Sequence, residues 1–169
     1  LDAGDVIGVR KVTLDDEITA MELHDKLAVL SGELLHVELM DYVRGNLAPI
    51  AQDPAGVTFA KKLEKSESVL DWSQSARTIH NKIRAFTMGP GTFTTLASKK
   101  VKIHRTKLVS DNSSSQKPGT VISSGDKGLK VQTGDGILEI LELQPESRNR
   151  ITATEFAKGH NLENAIFGG

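Results

Sequence analysis

Leu129-Lys-Val-Gln-Thr-Gly-Asp-Gly-Ile-Leu-Glu-Ile-Leu-Glu-Leu143 sets two aliphatic-rich runs on either side of Gly134-Asp-Gly136. Strand-forming residues flanking a glycine turn read as two strands, at 129–133 and 137–143. The same texture extends upstream. Residues 92–96, 101–109 and 120–122 are further strand candidates, separated by the polar loop 110–118 and the turn-like Gly125-Asp-Lys-Gly128. That many short strands within about fifty residues predict a small barrel or sandwich, and residues 152–158 offer a helical turn to close it.

Before the strands the period changes. Asp71 can cap a helix in which Trp72, Ala76, Ile79, Ile83 and Phe86 recur at four- and three-residue steps. Arg77, Asn81 and Arg84 form a polar, positive stripe on another face, and Met88-Gly-Pro-Gly91 ends the helix. Further upstream, residues 59–63 suggest a short helical turn carrying Lys61, Lys62 and Lys65. Residues 47–56, with two prolines and little periodicity, mark a domain boundary. Leu23, Leu27, Leu30 and Leu34, widened by Leu35 and Leu39, predict an amphipathic helix from Thr19 to about Arg44 that stops at Gly45-Asn46. Residues 5–14, rich in β-branched side chains, read as a strand leaving Gly4. The expected class is therefore a mixed α/β chain with a small barrel at its C-terminal end.

The 169 residues contain no cysteine, which excludes a disulfide scaffold, a thiolate metal site and a thiol nucleophile. Apolar residues make up 38% and charged residues 25%, a globular balance. Apolar runs are only a few residues long, so no membrane span or membrane partner is expected. The chain opens on Leu1 without a basic or apolar leader and reads as a piece of a longer protein at home in a reducing compartment.

The net charge of −1 hides an asymmetry. Residues 1–45 carry ten acids and four bases, whereas residues 60–107 carry eleven bases and three acids. A segment this positive in a near-neutral chain is a prior for phosphate or nucleic-acid contact. Strict alternation in 101–109 places Val101, Ile103, Arg105 and Lys107 on one side and Lys102, His104 and Thr106 on the other. Bases on both faces suit an exposed edge strand, where charge also blocks mispairing. Together with Lys61, Lys62, Lys65, Arg77, Arg84, Lys99 and Lys100, they predict a path for polyanion phosphates. Trp72 and Phe86 fall on the helix's buried face, so backbone recognition is expected rather than base stacking.

Other constellations are weaker. The five histidines share no ligand spacing, so no metal site is expected. Gly134-Asp-Gly136 lacks the third glycine of a dinucleotide fingerprint and reads as a hairpin turn. Asn112-Ser-Ser is a formal glycosylation acceptor without a secretory signal. Asp2, beside a glycine turn, is a carboxylate with no acid–base partner in view.

The order of these pieces resembles the C-terminal half of methionyl-tRNA formyltransferases over nearly the whole chain. The likeness runs through Leu1-Asp-Ala-Gly-Asp-Val6, Gln52-Asp53, Phe59-Ala-Lys-Lys-Leu-Glu-Lys-Ser-Glu67, Leu70-Asp-Trp-Ser73 and Ile83-Arg-Ala-Phe86. It continues through Pro90-Gly91, Pro118-Gly-Thr-Val-Ile122, Val131-Gln-Thr-Gly-Asp-Gly-Ile-Leu138 and Leu143-Gln-Pro145. The resemblance implies that residues 1–46 are the C-terminal strand and helix of a Rossmann-like formyltransferase domain. Residues 47–68 would be a linker and 69–169 a barrel similar to an OB fold. It further implies formyl transfer from 10-formyltetrahydrofolate to the methionyl amine of initiator tRNA, in the bacterial cytoplasm or an organellar matrix. Asp2 would be the catalytic aspartate and Leu1 and Asp2 would touch the cofactor. The tRNA would meet Lys61, Lys62, Lys65, Arg84, Lys99, Lys100, Lys102 and Arg105.

Departures accompany the likeness. The family's upstream Asn-x-His-x-Ser-Leu-Leu-Pro motif is not among these residues, so the chain is expected to be inactive alone. Gly89 replaces a bulky residue before Pro90, and Glu146-Ser-Arg-Asn-Arg150 replaces a Gly-Lys-Lys-like run. Competing readings are a related formyltetrahydrofolate hydrolase or sugar-amine formyltransferase, a non-catalytic OB-type nucleic-acid module, and a structural module. The apolar helix at 19–44 is expected to lie bare without a partner domain, leading to self-association or poor order.

Overall fold

The computed structural model describes residues 3–109 and 115–169. Leu1, Asp2 and the stretch 110–114 with the Asn112 acceptor lie outside the described residues. The chain forms two compact units, Leu1–Lys62 and Leu63–Gly169. The break falls inside the stretch 47–68 expected as a linker, so residues 63–68 belong to the second unit.

In the first unit, helix α1 spans Ala20–Val43. Its start is a capping box. The Thr19 hydroxyl accepts from the Glu22 amide at 3.2 Å, and the Glu22 carboxylate accepts from the Thr19 amide at 2.8 Å. Leu23, Leu30 and Leu34 are half-buried, while Leu27, Leu35 and Leu39 are exposed, and no α1 residue is buried. The strand expected at 5–14 is absent. Only Val6 pairs, exchanging two backbone hydrogen bonds with Ile50 at 2.8 and 2.9 Å. β-branched residues favour extended backbone, but a strand needs a neighbour along its length, and among the described residues Val6 finds a single bridging residue. Residues 59–63 are irregular rather than helical, and the short 3₁₀ turn lies at Lys65–Ser68 instead.

The second unit opens on a turn made by Asp71. Its carboxylate accepts from the Ser73 amide (3.0 Å), the Ser73 hydroxyl (2.6 Å) and the Gln74 side-chain amide (3.0 Å). These bonds hold the Asp71 carboxyl below the usual carboxylate range. With its oxygens so engaged, Asp71 does not cap the following helix. Ser75 does, its hydroxyl accepting from the Thr78 amide at 3.1 Å, and helix α2 runs over Ala76–Ala85. The predicted apolar face holds: Ala76, Ile79 and Ile83 are buried in one core with Trp72.

The strands follow as β1 (Thr92–Leu96), β2 (Lys99–Val109), β3 (Val121–Ser123), β4 (Leu129–Gln132), β5 (Ile137–Pro145) and β6 (Ile151–Thr152), then helix α3 (Ala153–Lys158). They form one antiparallel sheet in the order β1-β2-β5-β4-β3, with β6 on β5. β2 is thus an interior strand, not the edge its charges suggested. The sheet curls, and its two edges are joined by the C-terminal segment rather than by each other. Val121 donates to the Ala165 carbonyl, Phe167 to the Gly119 carbonyl and Gly168 to the Thr95 carbonyl, at 2.8, 2.8 and 2.9 Å. The inward face, with Val131, Leu138 and Leu143 at 0% exposure, packs against α2 and α3. The expected barrel-like α/β architecture is present, with this segment completing it.

Candidate nucleic-acid interface

β2 does not keep a constant alternation. It pairs with β5 so that Ile103 opposes Leu143, Arg105 opposes Glu142 and Thr106 opposes Ile140. His104 is the extra residue on β2 and Leu141 the extra one on β5. The two bulges offset each other, so register is restored while both strands exchange their faces. Val101 and Ile103 are buried before the bulge and Thr106 after it. Arg105 and Lys107, expected beside Val101, are instead exposed with Lys102 on the outward face. Buried Thr106 meets His80 of α2, whose Nδ1 is 3.0 Å from its hydroxyl. The bulge thereby gathers basic side chains onto one surface.

Charge along that surface is uneven. Glu142 stands opposite Arg105 and Glu139 opposite Lys107, so acids of β5 offset the distal half of β2. Glu142 also pairs with Arg150. At the proximal end Lys102 opposes Gln144 on β5 and Phe93 on β1, and Lys100 opposes Thr95. Glu146 is the acid nearest this end, its amide donating to the Lys100 carbonyl at 3.0 Å, but Lys99, Lys100 and Lys102 make no ion pair among the described residues.

This end borders a cleft. It is lined by Lys65, Ser68, the backbone turn at Pro90–Gly91, Phe93, Lys100 and Lys102, and no acidic residue contributes. Phe93 alternates outward between buried Thr92 and Thr94, and the Lys100 ammonium lies 3.6 Å from the centre of its ring. Of the sequence-predicted basic residues, the fold brings Lys65, Lys100 and Lys102 together. Lys99 is exposed at the adjoining hairpin end. Arg105 lies further along the strand, across from Glu142. Arg84 stands apart from the group. It belongs to α2, which covers the inward face of β2, and its Nε donates to Asn81 at 3.0 Å. Lys61 and Lys62 are exposed and belong to the first unit. Asp2 and Leu1 lie outside the described residues. Sequence reading missed Ser68, which carries no pattern, and gave no role to Phe93, the one aromatic of the basic stretch not placed on the buried helix face.

His104, at the bulge, has its Nε2 3.2 Å from the side-chain Oε1 of Gln144. Partial burial, reinforced by Arg150 and Lys102, holds its pKa below 6.5, with the Gln144 bond opposing the shift. The folded chain therefore takes up this proton less readily than the unfolded chain. Stability is expected to fall as pH drops below about 6.5 toward the folded midpoint, and to be independent of this group above it. An NMR titration should place the His104 midpoint below that of a free histidine, and His104→Gln should remove this part of the acid-side loss. A midpoint at or above 6.5 would contradict this.

Among the described residues no group of three or more His, Asp or Glu side chains is placed to hold a metal ion, and no helix is long and apolar enough to cross a membrane.

The formyl transferase C-terminal domain profile matches residues 62–161. The chain is 54% identical over 165 residues to a methionyl-tRNA formyltransferase of Bdellovibrio bacteriovorus, covering 96% of this chain and 52% of that protein. It is 38% identical to a methionyl-tRNA formyltransferase of Myxococcus xanthus, covering 96% of this chain and 51% of that one. The chain thus spans about half the length of the curated relatives it matches. HypX of Aquifex aeolicus, solved in complex with tetrahydrofolic acid, superposes with a TM-score of 0.66 at 22% identity, covering 92% of this chain and 27% of that one. At that identity the likeness shows shared fold alone. The profile match covers more than half of the chain, and the chain belongs to the formyl transferase C-terminal domain family.

Proposed function

We propose that this chain is the C-terminal half of a methionyl-tRNA formyltransferase and that its barrel holds the tRNA. One observation carries the reading: the outward lysine cluster at the start of β2, around a cleft with no acidic lining residue, in a chain half as long as relatives bearing that name. Phosphate backbone is the chemistry such a cluster recognises. In this reading residues 1–46 end a Rossmann-like formyltransferase domain, 47–68 link it to the barrel and 69–169 grip the initiator methionyl-tRNA. Lys61, Lys62, Lys65, Arg84, Lys99, Lys100, Lys102 and Arg105 serve the grip, with Arg84 and Arg105 contributing least because of their neighbours. The activity is formyl transfer from 10-formyltetrahydrofolate in the cytoplasm. That donor supplies the one-carbon unit. Leu1 and Asp2 are the residues of this chain assigned to it, Asp2 as the carboxylate that moves the proton. The asparagine and histidine come from an upstream domain, so this half alone does not catalyse.

The test is binding of initiator and elongator tRNA across a salt series. Affinity is expected to favour initiator tRNA and to fall linearly on a log–log salt plot. Changing Lys99, Lys100, Lys102 and Arg105 together to Gln should reduce the slope by about three, each phosphate contact being worth about 0.7–0.9. No binding at low salt, or an unchanged slope, would remove the barrel from the tRNA path.

A further inference from the structure

Ser68 is 4% exposed, and its hydroxyl has no hydrogen-bond partner among the described residues. A buried hydroxyl left unsatisfied is unfavourable, and native folds rarely keep one without a use. Ser68 lines the same cleft as Lys65, Lys100 and Lys102. None of these three lysines makes an ion pair among the described residues. Lys100 is held in place over Phe93, so its charge is positioned before any ligand arrives. A small anion in the cleft would receive three ammonium donors and the Ser68 hydroxyl proton, with no carboxylate among the lining residues.

We propose that this cleft is a discrete phosphate-binding site, in which Lys65, Lys100 and Lys102 supply charge and Ser68 donates a directional hydrogen bond to a phosphate oxygen. Phe93 is a positioning residue for Lys100. The proposal deepens the tRNA reading, on which it rests for the source of the phosphate, a backbone phosphodiester. A free phosphomonoester offers the same oxygens and is the other source to be distinguished. What separates a built site from diffuse surface charge is Ser68, which is neutral. Removing its hydroxyl leaves every Coulomb interaction unchanged and deletes one donor to an anion.

Two titrations of the chain test this, each with wild type, Ser68→Ala and Lys102→Gln. Inorganic phosphate is followed by amide chemical shifts, and tRNA by affinity across salt. Wild type should show saturable phosphate shifts centred on residues 65–68 and 100–102. Ser68→Ala should weaken phosphate and tRNA by the same factor, about five- to tenfold, with an unchanged salt slope. Lys102→Gln should weaken both and lower the slope. Thermal unfolding of Ser68→Ala should match or exceed wild type, because an unsatisfied buried group has been removed. If Ser68→Ala binds both ligands as wild type does, the site is overturned while the tRNA reading stands. If phosphate binds in a Ser68-dependent way and tRNA does not bind, the site stands as one for phosphomonoesters and the tRNA reading fails.

Discussion

Phe167→Ala is expected to destabilise the Leu63–Gly169 unit by about 3–5 kcal/mol, the range for deleting a buried aromatic ring. Phe167 is 1% exposed although it lies two residues from the end of the described chain. Its ring sits 5.6 Å from that of Trp72, tilted by 30°. Trp72 is itself tied by its indole N–H to the Thr94 hydroxyl at 2.9 Å, so it cannot swing into the vacated space without giving up a buried bond. The backbone around Phe167 bridges Leu96 on one sheet edge, and the adjacent Ile166 bridges Thr120 at the other. Losing the ring therefore removes the anchor of the segment that completes the curled sheet. Urea unfolding should show a lower midpoint with an unchanged slope, whereas Phe167→Leu should retain most of the stability. A loss below about 1 kcal/mol for the alanine variant would mean that the C-terminal segment is not part of the core.

Gly134→Ala is the second large effect, at about 3 kcal/mol, the upper end for forcing an atom into a packed site. Its cause is close approach rather than backbone conformation. An added Cβ would lie 1.7 Å from the Ser73 carbonyl oxygen, a backbone atom that no rotamer change can move. The approach exists because the Gly134 amide donates to the carbonyls of both Trp72 and Gln74, each at 2.9 Å. The neighbouring Ala76 amide donates to Asp135 at 2.8 Å. This knot joins the β4–β5 turn to the start of α2. Gly136 behaves differently. Its φ of +86° is the left-handed region, and a Cβ there would only touch Ala76 at 3.4 Å. Gly136→Ala should cost about 1–2 kcal/mol and Gly136→Asn less, because Asn tolerates that conformation. Asn at 134 should be no better than Ala. Equal effects of Asn and Ala at 136, or a mild Gly134→Ala, would contradict this assignment of causes. Thermal and urea unfolding of the four variants decides it.

The elements whose signal is local were legible. The leucine spacing from Thr19 gave α1, the apolar steps from Ala76 to Ile83 gave the buried face of α2, and the strand-forming runs gave β1 to β5 with small shifts at their ends. Where neighbouring donors compete for a side chain, the local signal misled. Asp71, expected as the cap of α2, does not cap it, because the Ser73 and Gln74 donors beside it engage its carboxylate and Ser75 takes the place. Residues 5–14 carry strand chemistry but no strand, because pairing is a property of two segments.

The candidate interface divides in the same way. Its charge was written into residues 60–107, and which lysines would share a surface was not. Period-two alternation assigns faces only while a strand is regular. The compensating bulges at His104 and Leu141 reverse the faces of β2 and β5 together, a change that arises from pairing and that neither strand encodes alone. By itself the sequence determined helices α1 and α2, the main strands of the barrel and the sign of the charge, since these follow from nearest neighbours and composition. Only the tertiary structure decided that Glu139 and Glu142 offset one half of β2, and that Ser68 joins Lys65, Lys100 and Lys102 around one cleft. Those relations depend on register between segments more than thirty residues apart, which local propensity does not carry.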